Sequence, residues 1–367
     1  MSQSLTYKNS GVNYDNLDAF KRAAQAAASE TISNLKPFGF SEFPGTRGES
    51  AYVVQTPWGY LAHVEEGLGT KNIIADLYGD KQGNSYYANV AQCTVAMIVN
   101  DMITLGIPPA TIAQHLAVAS DDWFTDGLRA AQLITGWQAA CNLARATWGG
   151  GETPALKGIV VPGTVLLSGS AVGFSEKIIT PNVQSGDAII FFESSGIHAN
   201  GLTMARKIAD SLPNGYATRL SDGTEYGEAL LTPTHIYVGA VMDLIANDIP
   251  IHYMTNITGH GWRKLMRFPE PFAYIIEELP TQLPIFDFMQ EHGPVTDKEA
   301  YGNFNMGAGY ALMIPKEHIQ AATDLVNHGS YGFKAYHAGY VSNLWGGKKV
   351  IIKPKDIVFE GSTLNVR

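Results

Sequence analysis

Apolar positions along the chain alternate between a period of two and a period near 3.6, and the switches mark out strands and helices. Behind a polar arm over residues 1–15, the run LDAFKRAAQAAASETISNL (17–35) favours helix, with Asp15 or Asn16 as candidate cap. The next stretch, PFGFSEFPGTRGES, is irregular. Its Gly39, Gly45, Gly48 and Arg47 read either as a surface loop or as a segment folded over a nucleotide. Strands follow at 51–55 and 60–64 around a TPWG turn. Residues 85–105 read as a long helix with an apolar stripe of Ala91, Thr94, Val95, Ile98, Met102 and Leu105, ended by Gly106 and Pro108. A strand at 111–119 and a helix at 126–147 make another step, with Trp137 and Cys141 on the buried side. Glycines 149–151 then give either a flexible loop or a close approach to a ligand, before a strand at 163–174.

The pattern breaks over 176–184 (EKIITPNVQ), which divides the chain into candidate domains 1–180 and 181–367. The second half opens with an apolar strand at 187–192 that runs through ESSGIHANG into the helix LTMARKIAD. Further helices are expected at 233–247, 262–266, 285–292 and 316–327. Strands are expected at 272–277, after the glycine-rich turn that starts at Asn303, at 334–341 and at 349–352. Strands interleaved with helices in both halves define an α/β (α+β) fold class.

Composition changes this picture little. With 45% hydrophobic and 16% charged residues, each half has enough apolar material for its own core. A net charge of −9 and the lack of a Lys/Arg cluster exclude a nucleic-acid field, and no apolar run approaches the ~18 residues of a membrane span. Cys93 and Cys141 lie in apolar helical patterns without metal-ligand spacing, as buried thiols in a reducing, cytoplasmic compartment do.

Candidate chemistry clusters at element ends. Glu65 and Glu66 follow a strand and precede Gly67, Gly69, Thr70 and Lys71. Such a stretch is either a tight turn with solvated charges or a place where carboxylates hold magnesium and glycines approach a phosphate. Asp101 sits near a helix C-terminus, where the dipole disfavours a carboxylate, so it is either solvated or offset by a positive group such as a cation shared with Glu66. With Glu152, these carboxylates form an oxygen-only magnesium set. The strand–turn–helix at 187–210 is a natural anion pocket carrying His198 and Asn200, with the imidazole either structural or catalytic.

Taken together and in order, SLTYKNSGVNYD, EEGLGTK, VND, GGET, SSGIHANG, LLTPTHIYV, ITGHG and FNMGAG resemble the aminoimidazole ribonucleotide synthases (phosphoribosylformylglycinamidine cyclo-ligases) of purine biosynthesis, over nearly the whole chain. The wider superfamily includes selenophosphate synthetase, thiamine-monophosphate kinase and a hydrogenase maturation factor. The resemblance implies two α/β domains: an N-terminal domain whose β-barrel spans a homodimer, and a C-terminal α/β sandwich. It implies ATP and Mg2+ as cofactors and a small nucleotide substrate, with neither nucleic acid nor membrane as partner. ATP would phosphorylate the formyl-derived amide oxygen of formylglycinamidine ribonucleotide, and a nitrogen of the same molecule would close the ring.

Carried over position by position, the family's motifs assign ATP to Glu66, Gly67, Gly69, Thr70, Lys71, Asn100, Gly150, Gly151, Glu152 and Thr153. They assign substrate to Ser195, Gly196, His198, Asn200, Gly201, Thr258, Gly259 and His260. Catalysis falls to Lys71, Asp101 and His198, and metal to Glu66, Asp101 and Glu152. The chain departs from the family at Glu66, where an Asp is usual, at His260, where a glycine is usual, and in the segment before the first strand. These departures keep open a paralogue that uses ATP on another amide or phosphorylatable group, and a catalytically silent nucleotide-binding subunit.

Overall fold

The computed structural model describes residues 14–293 and 295–364, so most of the polar arm lies outside the described residues. The alanine-rich run forms α1 (Tyr14–Ser29) and then breaks; Ile32–Phe38 is a separate 3-10 turn rather than a continuation. Thr31, Ile32, Ser33 and Asn34 are weak helix formers and Pro37 removes a donor, so nothing sustains the α-helix beyond Ser29.

The first half continues as β1 (Ser41–Glu42), β2 (Tyr52–Thr56), β3 (Gly59–Gly67), α2 (Lys71–Gln82), α3 (Tyr87–Met102), β4 (Pro109–Val118), α4 (Gly127–Leu143), β5 (Thr147–Glu152) and β6 (Val165–Ser175). Its strands form one sheet in the order β1-β2-β3-β6-β4-β5. The pairs are antiparallel except β4 with β5. α3 lies across β3 and β6, with Val95, Ile98 and Val99 wholly buried. The segment Tyr87–Leu105 is apolar and long enough to cross a membrane, but 83% of it is buried inside the protein, as in a core helix.

The other face of this sheet is open. Along β6, Val165, Leu167 and Ala171 are buried, while the alternate residues Leu166, Val172 and Phe174 are 53%, 38% and 43% exposed. Periodicity marks no element at 72–82 and none at 148–152, where the structure has α2 and β5. The latter is an edge strand because its glycines let it approach β4 closely: a Cβ on Gly151 would lie 2.0 Å from the Gln114 carbonyl oxygen.

The second half comprises β7 (Ala188–Glu193), α5 (Leu202–Ser211), α6 (Tyr226–Leu231), α7 (Val238–Ala246), β8 (Tyr253–Asn256), β9 (Ala273–Ile276), α8 (Pro284–His292), α9 (Asp297–Asn303), β10 (Ala308–Ile314), α10 (Ile319–His328), β11 (Ala335–Ser342), β12 (Lys349–Ile352) and β13 (Ile357–Glu360). A second sheet runs β13-β12-β9-β11-β7-β10-β8, with only β9 and β12 parallel. β7 and β10 form its buried middle. The helix expected over 233–247 exists only from Val238, because the backbone of residues 234–237 is tied to side chains of α3 instead. The molecule is thus two mixed α/β units, each with its own sheet.

Candidate functional site

The two units meet along a seam rich in side-chain hydrogen bonds, and α2 and α3 supply much of it. From α3, Asn89 donates to the Leu231 carbonyl at 3.1 Å and Gln92 to the Thr234 carbonyl at 3.0 Å. Asn100 donates to the His235 carbonyl at 2.8 Å and accepts the Tyr237 N–H at 2.9 Å. Lys71, the first residue of α2, is fully buried, and its Nζ donates to the carbonyls of His198 and Thr232 at 2.9 and 2.8 Å. The family motifs assign Lys71 and Asn100 to ATP, and Lys71 to catalysis as well. In the structure both hold the second unit against the first. These bonds also explain why residues 233–237 do not join the helix.

Below these bonds the seam buries charge. Glu66, at the end of β3, shares the inner face of the sheet with Ala62 and Val64. Asp101, at the end of α3, is 7% exposed and accepts an Asn256 Nδ2 bond at 2.7 Å. Opposite them stands Lys264, 8% exposed, on the 3-10 segment Gly261–Arg267 of the second unit, with Nζ donating to Thr258 Oγ1. Burial first, and the Asp101 charge second, push the Glu66 carboxyl above its ordinary range. Burial likewise pushes the Lys264 ammonium down, against the pull of Asp101 and Glu66. His260 has a left-handed backbone (φ 71°) and is half-buried. Burial and then the charges of Arg263, Lys264 and Arg267 push its imidazole down to about 3. It sits inside the seam, beside this cationic segment.

A cavity of about 420 Å³ adjoins the cluster. Thr104, in its wall, donates to the Asp101 carbonyl at 2.7 Å, and Thr255, also in the wall, precedes Asn256. The irregular segment before β2 closes one side with Phe43, Thr46, Glu49 and Ser50; Tyr253 and Phe268 face it from the second unit. Arg267 pins that segment through Glu49 at 3.1 Å and the Gly48 carbonyl at 2.9 Å.

The Ser195–Gly201 turn lies elsewhere on the seam, between β7 and the N-terminus of α5. His198 is 3% exposed, and its Nε2 accepts the Ser195 N–H at 3.2 Å. Burial, then the charges of His235 and Lys71, hold it far below its ordinary range. With Nε2 accepting from the backbone, the ring braces the turn. Ser195 donates to the Pro233 carbonyl. Asn200 Nδ2 is buried without a partner among the described residues, a donor left for a ligand. Ser195 and Gly196 also border a smaller hollow of about 170 Å³.

Glu152 does not join Glu66 and Asp101. The sheet row Glu66–Gly169–Gln114–Gly151 puts Gly151, the residue before Glu152, three strand spacings (roughly 14 Å) from Glu66. Glu152 itself pairs with His115, next to Ser168, on the open face. Among the described residues no three His, Cys, Asp or Glu side chains are grouped to hold a metal. The three-carboxylate magnesium set therefore does not fit a single chain, and Gly150, Gly151, Glu152 and Thr153 stand apart from the seam. Gly67, Gly69 and Thr70 lead into the N-terminus of α2; Gly69 has φ 80° and would meet nothing within 4 Å if it carried a Cβ. Lys264, Asn256 and Thr104 escaped the sequence reading. The available signal was a cluster of Arg263, Lys264 and Arg267 interleaved with the apolar Trp262, Leu265 and Met266.

With this geometry in view, comparison with known proteins identifies the class. The chain belongs to the AIR synthase related proteins: the N-terminal domain of that family matches residues 48–175 and the C-terminal domain matches residues 184–351. It is 34% identical over 330 residues to a phosphoribosylformylglycinamidine cyclo-ligase of Methanococcus maripaludis, covering 88% of this chain and 89% of that one. It is 32% identical to the cyclo-ligase of Carboxydothermus hydrogenoformans, covering 95% and 99%. The fold is also that of the hydrogenase maturation protein HypE, solved in complex with ATP (TM-score 0.60, 16% identity, 84% and 87% covered). It is likewise that of thiamine monophosphate kinase from Aquifex aeolicus (TM-score 0.52, 16% identity, 82% and 90% covered).

Proposed function

We propose that this chain is a cytoplasmic, ATP-dependent cyclo-ligase that converts formylglycinamidine ribonucleotide to aminoimidazole ribonucleotide, with residues 1–180 binding ATP and residues 181–367 completing the substrate cleft. The observation that carries this reading is identity of 34% over 88% of the chain to a cyclo-ligase. In balanced form, the amide oxygen of the substrate takes the terminal phosphoryl group of ATP and ADP leaves. A nitrogen of the same molecule then attacks that carbon, phosphate departs with the oxygen, and a proton is released. Gly67, Gly69 and Thr70, at the start of α2, suit the ATP phosphates. Thr258 and Gly259 line the substrate side of the seam, Ser195 shapes the turn, and Gly196, Asn200 and Gly201 offer donors for the ribonucleotide phosphate. Magnesium would arrive on the triphosphate rather than in a cage of protein carboxylates. Buried thiols at Cys93 and Cys141 agree with a cytoplasmic setting.

We further propose a homodimer through the open face of the first sheet, where Leu166, Val172 and Phe174 are exposed and where Gly150, Gly151, Glu152 and Thr153 would meet a second copy. Closing that face against its twin would make the dimer-spanning barrel. A second reading, an ATP-using enzyme on the same fold with another amide substrate, is favoured by His260 in the seam and by Glu66, one methylene longer than aspartate. The test is ADP release and ring closure from formylglycinamidine ribonucleotide and ATP, for the unaltered protein and for His260→Gly. Ring closure by the unaltered protein supports the first reading. Closure gained only in His260→Gly supports the second, and no ATP turnover in either form with any amide or amidine overturns both.

A further inference from the structure

The cavity of about 420 Å³ between the two units has walls unlike the rest of the seam. Among the described residues no Lys, Arg or His lines it, and its one charged side chain, Glu49, is paired with Arg267 at 3.1 Å. Aromatic rings supply much of the surface. Tyr253 and Phe268 are buried in the second unit with ring centroids 5.7 Å apart. Phe43 lines the cavity from the first unit and is held edge-on by Tyr60 at 5.5 Å. Leu105 and Met254 add buried apolar surface. Most polar side chains of the wall are already bonded within the protein. Thr46 Oγ1 donates to the Phe43 carbonyl at 2.9 Å and accepts the Val53 N–H at 3.2 Å. Thr104 donates to the Asp101 carbonyl, and Ser50 Oγ accepts from Arg267 Nη1 at 3.2 Å. The hydroxyls of Thr180 and Thr255 are left to meet a few polar atoms on a ligand's edge.

A phosphate placed here would lose its water beside Glu49, with no cation in the wall to replace it. A flat uncharged ring loses little and gains aromatic and apolar contact. The volume falls in the range of small-ligand sites, roughly 300–1,000 Å³. The roof is residues 43–50, one of the stretches where the chain departs from its family, so the shape of this cavity is this chain's own. Arg267 ties the roof to the second unit through Glu49, Ser50 and the Gly48 carbonyl at 2.9 Å. The roof's own cation, Arg47, pairs with Glu42 and lies over the Tyr52 ring at 5.2 Å instead of turning into the cavity.

We infer that this cavity seats an uncharged aromatic ring, with Phe43, Tyr253 and Phe268 as the residues that select it, and that phosphate groups stay outside. The ring is the base of the nucleotide or a ring of the second substrate; both present the same chemistry to these walls. The inference deepens the proposed ATP-dependent reading and rests on it for the ligand's place in turnover, but binding is measured without turnover.

The experiment titrates nucleotide-free, full-length protein by calorimetry with adenosine, with indole and with tripolyphosphate. At least one of the two ring probes is expected to bind once per chain with Kd below about 1 mM. Phe43→Ala and Phe268→Ala are each expected to weaken that binding at least about tenfold, through loss of one aromatic wall. Tripolyphosphate is expected to leave the affinity of the ring probe unchanged. Adenosine binding that ATP displaces assigns the cavity to the nucleotide base. Indole binding that ATP does not displace assigns it to a ring of the second substrate. The inference is overturned if neither ring probe binds, if either folded variant keeps the unaltered affinity, or if tripolyphosphate displaces the ring probe. Should Phe268→Ala not fold, Phe43→Ala, on the partly exposed roof, decides alone. Failure of imidazole closure beside the expected binding would count against the cyclo-ligase reading and leave this inference standing.

Discussion

At the scale of single residues, burial decides what each titratable group does. Asp101 is held by Asn256, which fixes a carboxylate at the end of α3 where the helix dipole would disfavour it. Asp101→Asn is expected to abolish ATP turnover while the protein stays folded, because the isosteric amide keeps the packing. Turnover at the unaltered rate would remove Asp101 from the site. The buried histidines make a separate prediction. Burial pushes His235 down to about 4 and, together with neighbouring cations, His260 down to about 3; His198 is held low as well. An unfolded imidazole takes a proton below about 6.5, so on acidification the unfolded chain binds more protons than the folded one. The stability these neutral rings allow is whole above about pH 6.5 and is lost as pH falls toward about 4. Melting temperature followed between about pH 7.5 and 4.5 should fall, and less steeply in His235→Gln. A flat profile in both proteins would contradict this account.

At the scale of elements, the seam explains where local pattern and structure part. Residues 233–237 carry enough helix signal to extend α7 backwards, yet Asn100, Gln92 and Cys93 of α3 take their backbone and side-chain groups instead. α2 begins at Lys71, whose ammonium satisfies carbonyls that follow β7 and α6. Lys71→Met should leave both carbonyls buried and unpaired, at a cost of about 3 kcal/mol. Urea denaturation should register this as a lower midpoint. A new intermediate should also appear if the units separate before they unfold. A loss below about 0.5 kcal/mol would mean that water replaces the ammonium and that the seam does not depend on it.

At the scale of the whole molecule, one face of the first sheet is the largest unresolved demand. Apolar side chains along β6 alternate outward without cover, and sheets bury such faces by packing or closure. Light scattering at micromolar concentration is expected to give a dimer. Phe174→Asp, on the open face and away from the buried carboxylates, should give a folded monomer. A monomeric unaltered protein would remove the barrel from the proposal.

Local pattern was enough to read the strands and helices with strong periodicity, such as the long helix near residues 85–105 and the apolar strand before Ser194. It also carried the order of motifs that marks the family, because periodicity and glycine-rich turns are properties of neighbours in the chain. The sequence could not say which motif residues face one another, since that depends on register across strands and on contacts between units far apart in sequence. A separation of three strand spacings and an opposite face keep Glu152 from Glu66, although both follow glycine-rich or strand-end signals of the same kind. Lys71, Asn100 and His198 stand in family motifs, and their structural partners, a backbone group more than 100 residues away or across its own turn, were not legible in the sequence. Lys264 became visible only when tertiary structure buried it in the seam, because a lysine's environment is fixed by what packs on it and not by what lies beside it in the sequence.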